Sequence, residues 1–156
     1  VERNALRAFP VPVHVRLAEG GSVAELVRVL AAAFLVRAPI AVSTGVVLPP
    51  SVAELLAAQG VEVSLERGED WLERLAVSGP AGPGGEPAAR VRLIDGDRVR
   101  VAEWMGGLDR SALWAEPVTM AGPVELLSFL REQSVSVRAE RYGLAERAPG
   151  LDALLG

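Results

Sequence analysis

Hydrophobic and polar residues alternate along the chain with two periods that follow each other repeatedly. A period of two, or a short apolar run, predicts strands at residues 11–17, 40–43, 61–65, 90–94, 112–115 and 134–137. Apolar residues at helical spacing predict helices at residues 23–38, 52–59, 69–76, 97–105 and 123–130. Because strands and helices alternate, we expect an α/β fold with a Rossmann-like open, mostly parallel sheet flanked by helices.

Local signals at the helix starts agree with this division of the chain. Ser22 and Ser51 are each followed by Glu three residues later, the spacing of a capping box, and Pro123 suits a first helical position. The stretch 113–142 reads strand, helix, strand in about 30 residues, which is the size of a βαβ unit. We therefore expect residues 134–137 to be a sixth strand of the parallel sheet, either at its edge or in its interior.

The chain is expected to hold one domain with additions at its ends. Residues 1–10 are predicted to be an irregular lead-in, residues 11–143 the Rossmann-like domain and residues 144–156 a C-terminal tail. The Gly/Pro-rich run 78–87 predicts a mobile, dispensable insertion. The chain begins with Val rather than Met, so we expect an excised or processed piece of a longer protein.

Composition argues against several classes of function. The net charge is −4, and the 16 positive residues, all Arg, form no basic cluster, so nucleic acid and anionic membranes are not expected partners. No apolar run approaches the roughly 20 residues of a membrane span. The absence of Cys is compatible with the cytoplasm and excludes a thiol nucleophile, a disulfide and a Cys-ligated metal.

The loop Ala18-Glu19-Gly20-Gly21-Ser22 follows the first strand, where a doubly wound fold would hold a dinucleotide. The fingerprint needs three glycines, so that the backbone can approach pyrophosphate at the helix N-terminus. Here the third Gly is missing, and Glu19 puts a carboxylate where phosphate would lie. We therefore expect an ordinary capped turn and no cofactor in this chain.

Other chemically suggestive residues also favour structural roles. His14, the only His, lies on an alternating strand whose Pro12 suits an edge or a strand beginning, and it is expected to be exposed or hydrogen-bonded rather than a base. Ser43 has no local motif that pairs it with His14. Asp95-Gly96-Asp97 lacks the later ligands of a calcium loop, so Asp97 is expected to cap a helix. No catalytic residue, cofactor-binding residue or metal ligand is predicted.

Two segments resemble a known family. Glu2-Arg3-Asn4 resembles the Glu-Arg-Asn segment that follows the aldehyde dehydrogenase domain in bifunctional proline utilisation A enzymes. Residues 125–127 (Glu-Leu-Leu) and 131–137 (Arg-Glu-Gln-Ser-Val-Ser-Val) are similar to that family's Leu-Leu…Glu-Arg-Ser-x-Ser-Val-Asn run. The family then continues Asn-Thr-Ala-Ala-Gly-Gly-Asn, whereas this chain has Arg-Ala-Glu-Arg-Tyr-Gly at residues 138–143.

The resemblance implies a role without catalysis. The family joins an FAD-dependent proline dehydrogenase to an NAD-dependent glutamate-semialdehyde dehydrogenase, and its longer members end in an inactive, aldehyde-dehydrogenase-like Rossmann domain. The resemblance implies that residues 1–10 lead in from an upstream catalytic domain. It also implies a cytoplasmic parent enzyme that binds FAD and NAD elsewhere in its chain and that can be an oligomer. The domain would pack on the aldehyde dehydrogenase domain and help to close the channel for the intermediate.

The expected interface lies on the last strand and the chain ends. Arg and Tyr favour interfaces, and a strand at a sheet edge needs cover. The candidates are Arg3, Asn4, Ser134, Val135, Val137, Arg138, Arg141 and Tyr142.

Two other functions stay open on the sequence: an autonomous module that binds a small molecule or nucleotide at Gly20-Gly21-Ser22, and an independent enzyme, which the lack of Cys and of a partner for His14 disfavours. An aldehyde dehydrogenase encoded upstream of Val1 would favour the interpretation as a non-catalytic domain of a proline-oxidising enzyme over these two alternatives.

Overall fold

The computed structural model describes residues 2–107 and 111–138, which belong to two units. The larger unit is Pro10–Leu130, and the smaller consists of Val1–Phe9 and Arg131–Gly156. The strands in the described residues are β1 Glu2–Pro10, β2 Val13–Leu17, β3 Ile40–Thr44, β4 Val63–Leu65, β5 Arg90–Ile94, β6 Ala112–Trp114 and β7 Leu130–Arg138. The α-helices there are α1 Val23–Leu35, α2 Pro50–Ala58, α3 Gly68–Ser78, α4 Arg98–Trp104 and α5 Gly122–Leu126.

The larger unit is organised around a parallel sheet. Within the described residues the sheet has five strands in the order β4-β3-β2-β5-β6. This confirms the predicted α/β class and the Rossmann-like open sheet. β2 is the central strand, so Pro12 marks a strand beginning and not an edge.

Apolar side chains pack in two clusters, one that includes residues of α1 and α2 and one that includes residues of α3 and α4. One cluster joins Val15 of β2 to Leu26 of α1 and to Phe129, and the other joins Leu93 of β5 to Trp71 of α3. Each fully buried side chain of this size contributes about 1.5–3 kcal/mol. Because both faces of the sheet are covered, all five side chains of β2 are buried, including the polar ones.

Side-chain capping was predicted correctly for two helices and wrongly for a third. The Ser22 hydroxyl accepts from the Ala24 N–H at the start of α1, and the Asp97 carboxylate accepts two N–H groups at the start of α4. Ser51 does not cap α2, because that helix already begins at Pro50. Proline has the backbone angle of a first helical turn built in, and so it moves the start two residues earlier, with Pro49 in place of Ser51 as the N-cap residue.

The two ends of the chain differ most from expectation. Residues 2–10 form β1 rather than an irregular lead-in, and β1 pairs with β7 in a separate two-stranded sheet. The prediction that residues 134–137 form a sixth parallel strand is therefore wrong. The physical reason is visible in residues 131–134, Arg-Glu-Gln-Ser, since a strand buried on both faces needs apolar residues or partnered polar ones on both sides. The predicted tail, 144–156, lies outside the described residues.

The insertion at residues 78–87 is anchored at its base. Pro80 and Gly82 are buried, and Ala81 forms a β-bridge with Pro87 below a short 3-10 turn at Pro83–Gly85. The Ala88 N–H donates to the Pro80 carbonyl at 2.8 Å. The expectation of a run without an anchor is thus wrong for the base and applies only to the exposed tip.

Candidate functional site

Strand order places a crevice at the carboxyl end of the sheet. From β2 the chain builds outward through β3 to β4, then crosses β2 and adds β5 and β6 on the other side. Open α/β sheets bind ligands outside the strand ends at such a switch point. Here the loops that follow β2 and β5 meet the start of α3 and enclose a crevice of about 460 Å³.

The crevice has an apolar floor and a charged rim. Trp71, Leu72, Leu93 and Val101 line the floor. The charged residues around it are Arg16, Glu19, Arg67, Glu69, Asp97 and Arg100. Three cations face three anions, and Arg100 Nη2 already pairs with Glu69 Oε2 at 2.6 Å. The crevice therefore has no field of one sign that would attract a charged ligand from solution.

Arg16 is the buried cation of the crevice. Its side chain is only 1% exposed, and its guanidinium lies over the Trp71 ring, 5.0 Å from the centroid. Nη1 and Nη2 donate to the Glu66 carbonyl at 3.1 and 3.2 Å. Burial removes water from the guanidinium and lowers the pKa of Arg16, while Glu19 and Glu66 act in the opposite sense. These contacts fix the cation between β2 and the start of α3.

Glu19 crosses from the turn after β2 to α3. Its Oε1 accepts the Gly68 N–H at 2.5 Å and lies 3.7 Å from Arg16 Nη2, while half of the side chain (51%) is exposed. A Cβ added at Gly45 would lie 2.6 Å from the Glu19 carboxylate carbon. The carboxylate thus occupies a corner of the crevice that glycine keeps open.

The glycines of the first loop serve close packing. A Cβ at Gly21 would lie 2.5 Å from Leu17 Cδ1, and one at Gly20 would overlap the Asp95 carboxylate. The Ser22 cap confirms the predicted capped turn. The lack of dinucleotide binding stays a prediction. The Asp95 carboxylate beside Gly20 supports it, because it is a second negative charge next to the loop.

His14 lies in a buried hydrogen-bond network on the same face of β2 as Arg16. It is 2% exposed, its ring stacks on Trp71, and its Nε2 accepts the Trp71 indole N–H at 3.1 Å. Nδ1 lies 2.7 Å from the Ala81 carbonyl, which can only accept, so Nδ1 carries the proton. Burial lowers the pKa of His14 to about 4. His14 is thus a satisfied core side chain, as one of the two predicted options had it.

Ser43 lies beside His14 but lacks the features of a nucleophile. Its Oγ is 2.8 Å from His14 Nε2, a distance suited to proton transfer. Ser43 is completely buried, the Nε2 lone pair is shared with Trp71, and a base with its pKa near 4 is weak at neutral pH. The pair therefore ties β3 to β2 and to α3.

Sequence reasoning missed Arg16, Trp71 and the Ser43–His14 contact as members of one cluster. One signal was available: a polar residue on a strand of a parallel sheet is buried and must have a partner. The partners themselves come from α3 and from the base of the insertion, dozens of residues away.

No protein-family model and no curated protein matches the sequence. Among solved structures the chain is similar to proline utilization A (PutA) from Corynebacterium freiburgense, with 22% sequence identity and a TM-score of 0.48. The match covers 90% of this chain and 11% of that one, so this chain spans about a tenth of its length. A likeness at this level does not assign the chain to that family.

The predicted interface residues lie on the two-stranded sheet where the structure describes them. Arg3 and Asn4 are in β1, and Ser134 and Val135 are in β7, as are Val137 and Arg138 at its end. The Ser136 hydroxyl donates to Asn4 Oδ1, which joins the two strands through their side chains. Arg141 and Tyr142 lie outside the described residues. Their role in an interface stays a prediction.

Residues 2–107 and 111–138 hold no group of three or more His, Cys, Asp or Glu side chains that is arranged to bind a metal ion. In that same part of the chain, no helix has the length and apolar character needed to cross a bilayer.

Proposed function

We propose that this chain is a non-catalytic Rossmann-like domain of a bifunctional enzyme that oxidises proline to glutamate. In this role it packs on the aldehyde dehydrogenase domain of the same parent chain and helps to close the channel for the intermediate. FAD and NAD bind in other parts of that parent. The proposal rests on the resemblance of two segments to proline utilisation A enzymes and on where those segments lie.

The observation that carries the proposal is the pairing of β1 with β7. Residues 2–4 and residues 131–137 are more than 120 positions apart in sequence, yet they belong to the two strands of one sheet. The side-chain contact between Asn4 and Ser136 lies inside these two segments. Residues 2–4 and 131–137, two of the three stretches that carry the resemblance, therefore lie in one sheet, whereas residues 125–127 lie at the end of α5 in the larger unit.

This two-stranded sheet has the properties of a docking element. Two strands alone are marginally stable in water and need a further layer or strand. Within the described residues each of the two strands pairs only with the other strand. The outer edge of such a sheet is a template on which a further strand or another protein surface can pair. Leu6 on β1 is 70% exposed, an apolar side chain suited to burial against a partner.

Two experiments test the proposal. The coding sequence upstream of Val1 should encode an aldehyde dehydrogenase, and its absence there would overturn the proposal. In the full-length enzyme, Arg138→Glu with Arg141→Glu should weaken docking and slow coupled turnover of proline to glutamate at least about fivefold, equivalent to about 1 kcal/mol. Each half-reaction, assayed with its own substrate, should stay nearly unchanged.

A matched control separates docking from net charge. Arg28→Glu with Arg37→Glu makes the same charge change at two exposed positions on and just after α1, and should leave coupled turnover intact. If docking is lost while coupled turnover stays at the wild-type rate, the role in channel closure is wrong. If docking itself is unchanged, these two residues are not at the interface.

The crevice at the switch point favours a second candidate, an autonomous module that binds a small molecule or nucleotide. Its volume of about 460 Å³ is in the range of ligand pockets. The Glu19 carboxylate and the balanced charges of the rim oppose binding of a phosphate-bearing ligand. Saturable binding of NAD to the isolated chain would favour this candidate over the docking domain.

A further inference from the structure

The start of α3 takes its cap from a distant part of the chain. α3 has 11 residues, and its N-cap residue, Arg67, makes no side-chain cap hydrogen bond. The Gly68 N–H instead donates to Glu19 Oε1 at 2.5 Å, from a residue 49 positions earlier. A helix N-terminus carries partial positive charge and exposed N–H donors, so it stabilises an anion placed there.

A second, independent feature of the same corner also favours an anion. Arg16 is almost fully buried, and burial of a charge is costly unless a partner compensates. Its guanidinium donates to the Glu66 carbonyl, and the carboxylate nearest to it is that of Glu19, 3.7 Å from Nη2. The corner thus combines a fixed cation with a helix N-terminus at the mouth of a crevice with an apolar floor.

Two glycines make room for the carboxylate in this corner. An added Cβ at Gly45, after β3, would lie 2.6 Å from the carboxylate carbon, and one at Gly68 would lie 3.2 Å from Oε1. Both glycines have ordinary backbone angles, since neither is among the residues with positive φ. Space for the anion, and not backbone geometry, is therefore what these two positions require.

We infer that this corner is an anion subsite of the crevice that Glu19 fills from within, in the place of the phosphate or carboxylate of a ligand. The side chain acts as an internal ligand that ties β2, β3 and α3 together and closes the crevice to external anions. The inference goes beyond the docking role and does not depend on it, because all of its residues belong to the unit Pro10–Leu130. An ordinary structural contact differs in one measurable way: when it is removed, an added anion does not replace it.

The test is chemical rescue with inorganic pyrophosphate. Glu19→Ala should lower the Tm, and pyrophosphate should raise the Tm of this variant and bind to it at least about tenfold more tightly than to the wild type by calorimetry. The wild type should show no saturable binding in the same range. Glu19→Gln keeps the shape and removes the charge, so its response should lie between the two and is available if the Ala variant does not fold.

Glu69→Ala is the matched control. It removes a carboxylate from the rim of the same crevice but leaves the corner occupied by Glu19. A response to pyrophosphate as large as that of Glu19→Ala would mean that net charge alone governs binding, and would overturn the inference. So would an absence of response in both Glu19 variants, or equal binding to the wild type.

Discussion

Acidification between pH 6.5 and pH 4 should destabilise this fold through one side chain, His14. The imidazole is buried, and its pKa is about 4 in the folded chain against an ordinary 6.5. In that window the unfolded chain binds a proton that the folded chain does not. The contribution of the neutral His14 side chain to the free energy of unfolding is therefore fully present above pH 6.5 and is lost as the pH drops toward 4.

The size of the effect follows from the two pKa values. The difference between 6.5 and about 4, at about 1.4 kcal/mol per unit, gives a limiting loss of about 3 kcal/mol, of which about 2 kcal/mol appears between pH 7 and pH 5. The largest cause is burial, which removes water from the charged ring. Protonation would also put a proton on Nε2, where the Trp71 indole N–H already points, so that two donors would face each other.

The assay is urea unfolding at pH 7, 6 and 5, followed by tryptophan fluorescence. Trp71 stacks on His14, with ring centroids 6.1 Å apart, and so reports on this part of the core. His14→Gln does not titrate in this range and should be less stable at pH 7 but much less dependent on pH. Because the sequence contains one His, its two ring C–H protons, Hδ2 and Hε1, give one set of NMR signals without overlap from other histidines, and their titration measures the pKa directly.

Equal pH dependence of the wild type and His14→Gln would refute this reasoning, as would an imidazole that titrates near 6.5 in the folded protein. The Glu66 carboxylate does not produce the same pH dependence. Its partial burial raises its pKa, but its hydrogen bonds with Arg74 and Ser64 outweigh this and lower the pKa below the ordinary value. Its contribution is lost only at pH values below about 4.5.

Four further experiments test other parts of the structure. Glu125→Gln leaves the buried Arg92 without its anion and should cost about 3–5 kcal/mol of unfolding free energy in urea, whereas Arg92→Met with Glu125→Leu should cost much less. Replacing residues 83–86 by a Gly/Ser turn should change stability by less than about 0.5 kcal/mol, because this tip is mostly exposed. Replacing the whole run 78–87 should cost about 1–3 kcal/mol, because the Nδ1–H of His14 loses the Ala81 acceptor. Calorimetric titration of the isolated chain with NAD should show no saturable binding below about 1 mM, roughly −4 kcal/mol.

Most of the parallel sheet could be predicted from the sequence because its signals are local. The strand at residues 90–94 and the caps at Ser22 and Asp97 depend on residues within a few positions of each other. The start of α2 was misplaced by two residues, since Ser51 is a good N-cap residue and Pro50 is a good first helical residue, and the two roles exclude each other. Errors of this kind move a boundary and leave the fold unchanged.

The candidate site could not be predicted in the same way, because its contacts join residues far apart in sequence. Glu19 was expected to put a carboxylate where the phosphate of a dinucleotide would lie, but the structure pairs it with Gly68, a contact that depends on where α3 begins relative to β2. The buried pair of Arg92 and Glu125 likewise joins β5 to α5 across 33 positions. Local patterns give the type of residue at such a site and not the contact that defines its role.

β2 and β7 have similar alternation of apolar and polar residues but different environments, so a period of two predicts a strand without predicting which sheet the strand joins. β2 reads Val-His-Val-Arg-Leu and β7 ends Ser-Val-Ser-Val-Arg, yet β2 is the buried centre of the parallel sheet and β7 belongs to the two-stranded one. The difference is that the polar side chains of β2 have buried partners: Ala81, Ser43 and Trp71 for His14, and the Glu66 carbonyl for Arg16. Polar residues on a doubly covered strand are stable only with such partners, because an unsatisfied buried polar group costs about 1–3 kcal/mol. The polar residues of β2 that look like a solvent-exposed face therefore mark the part of the sheet where α3, the base of the insertion and the crevice meet.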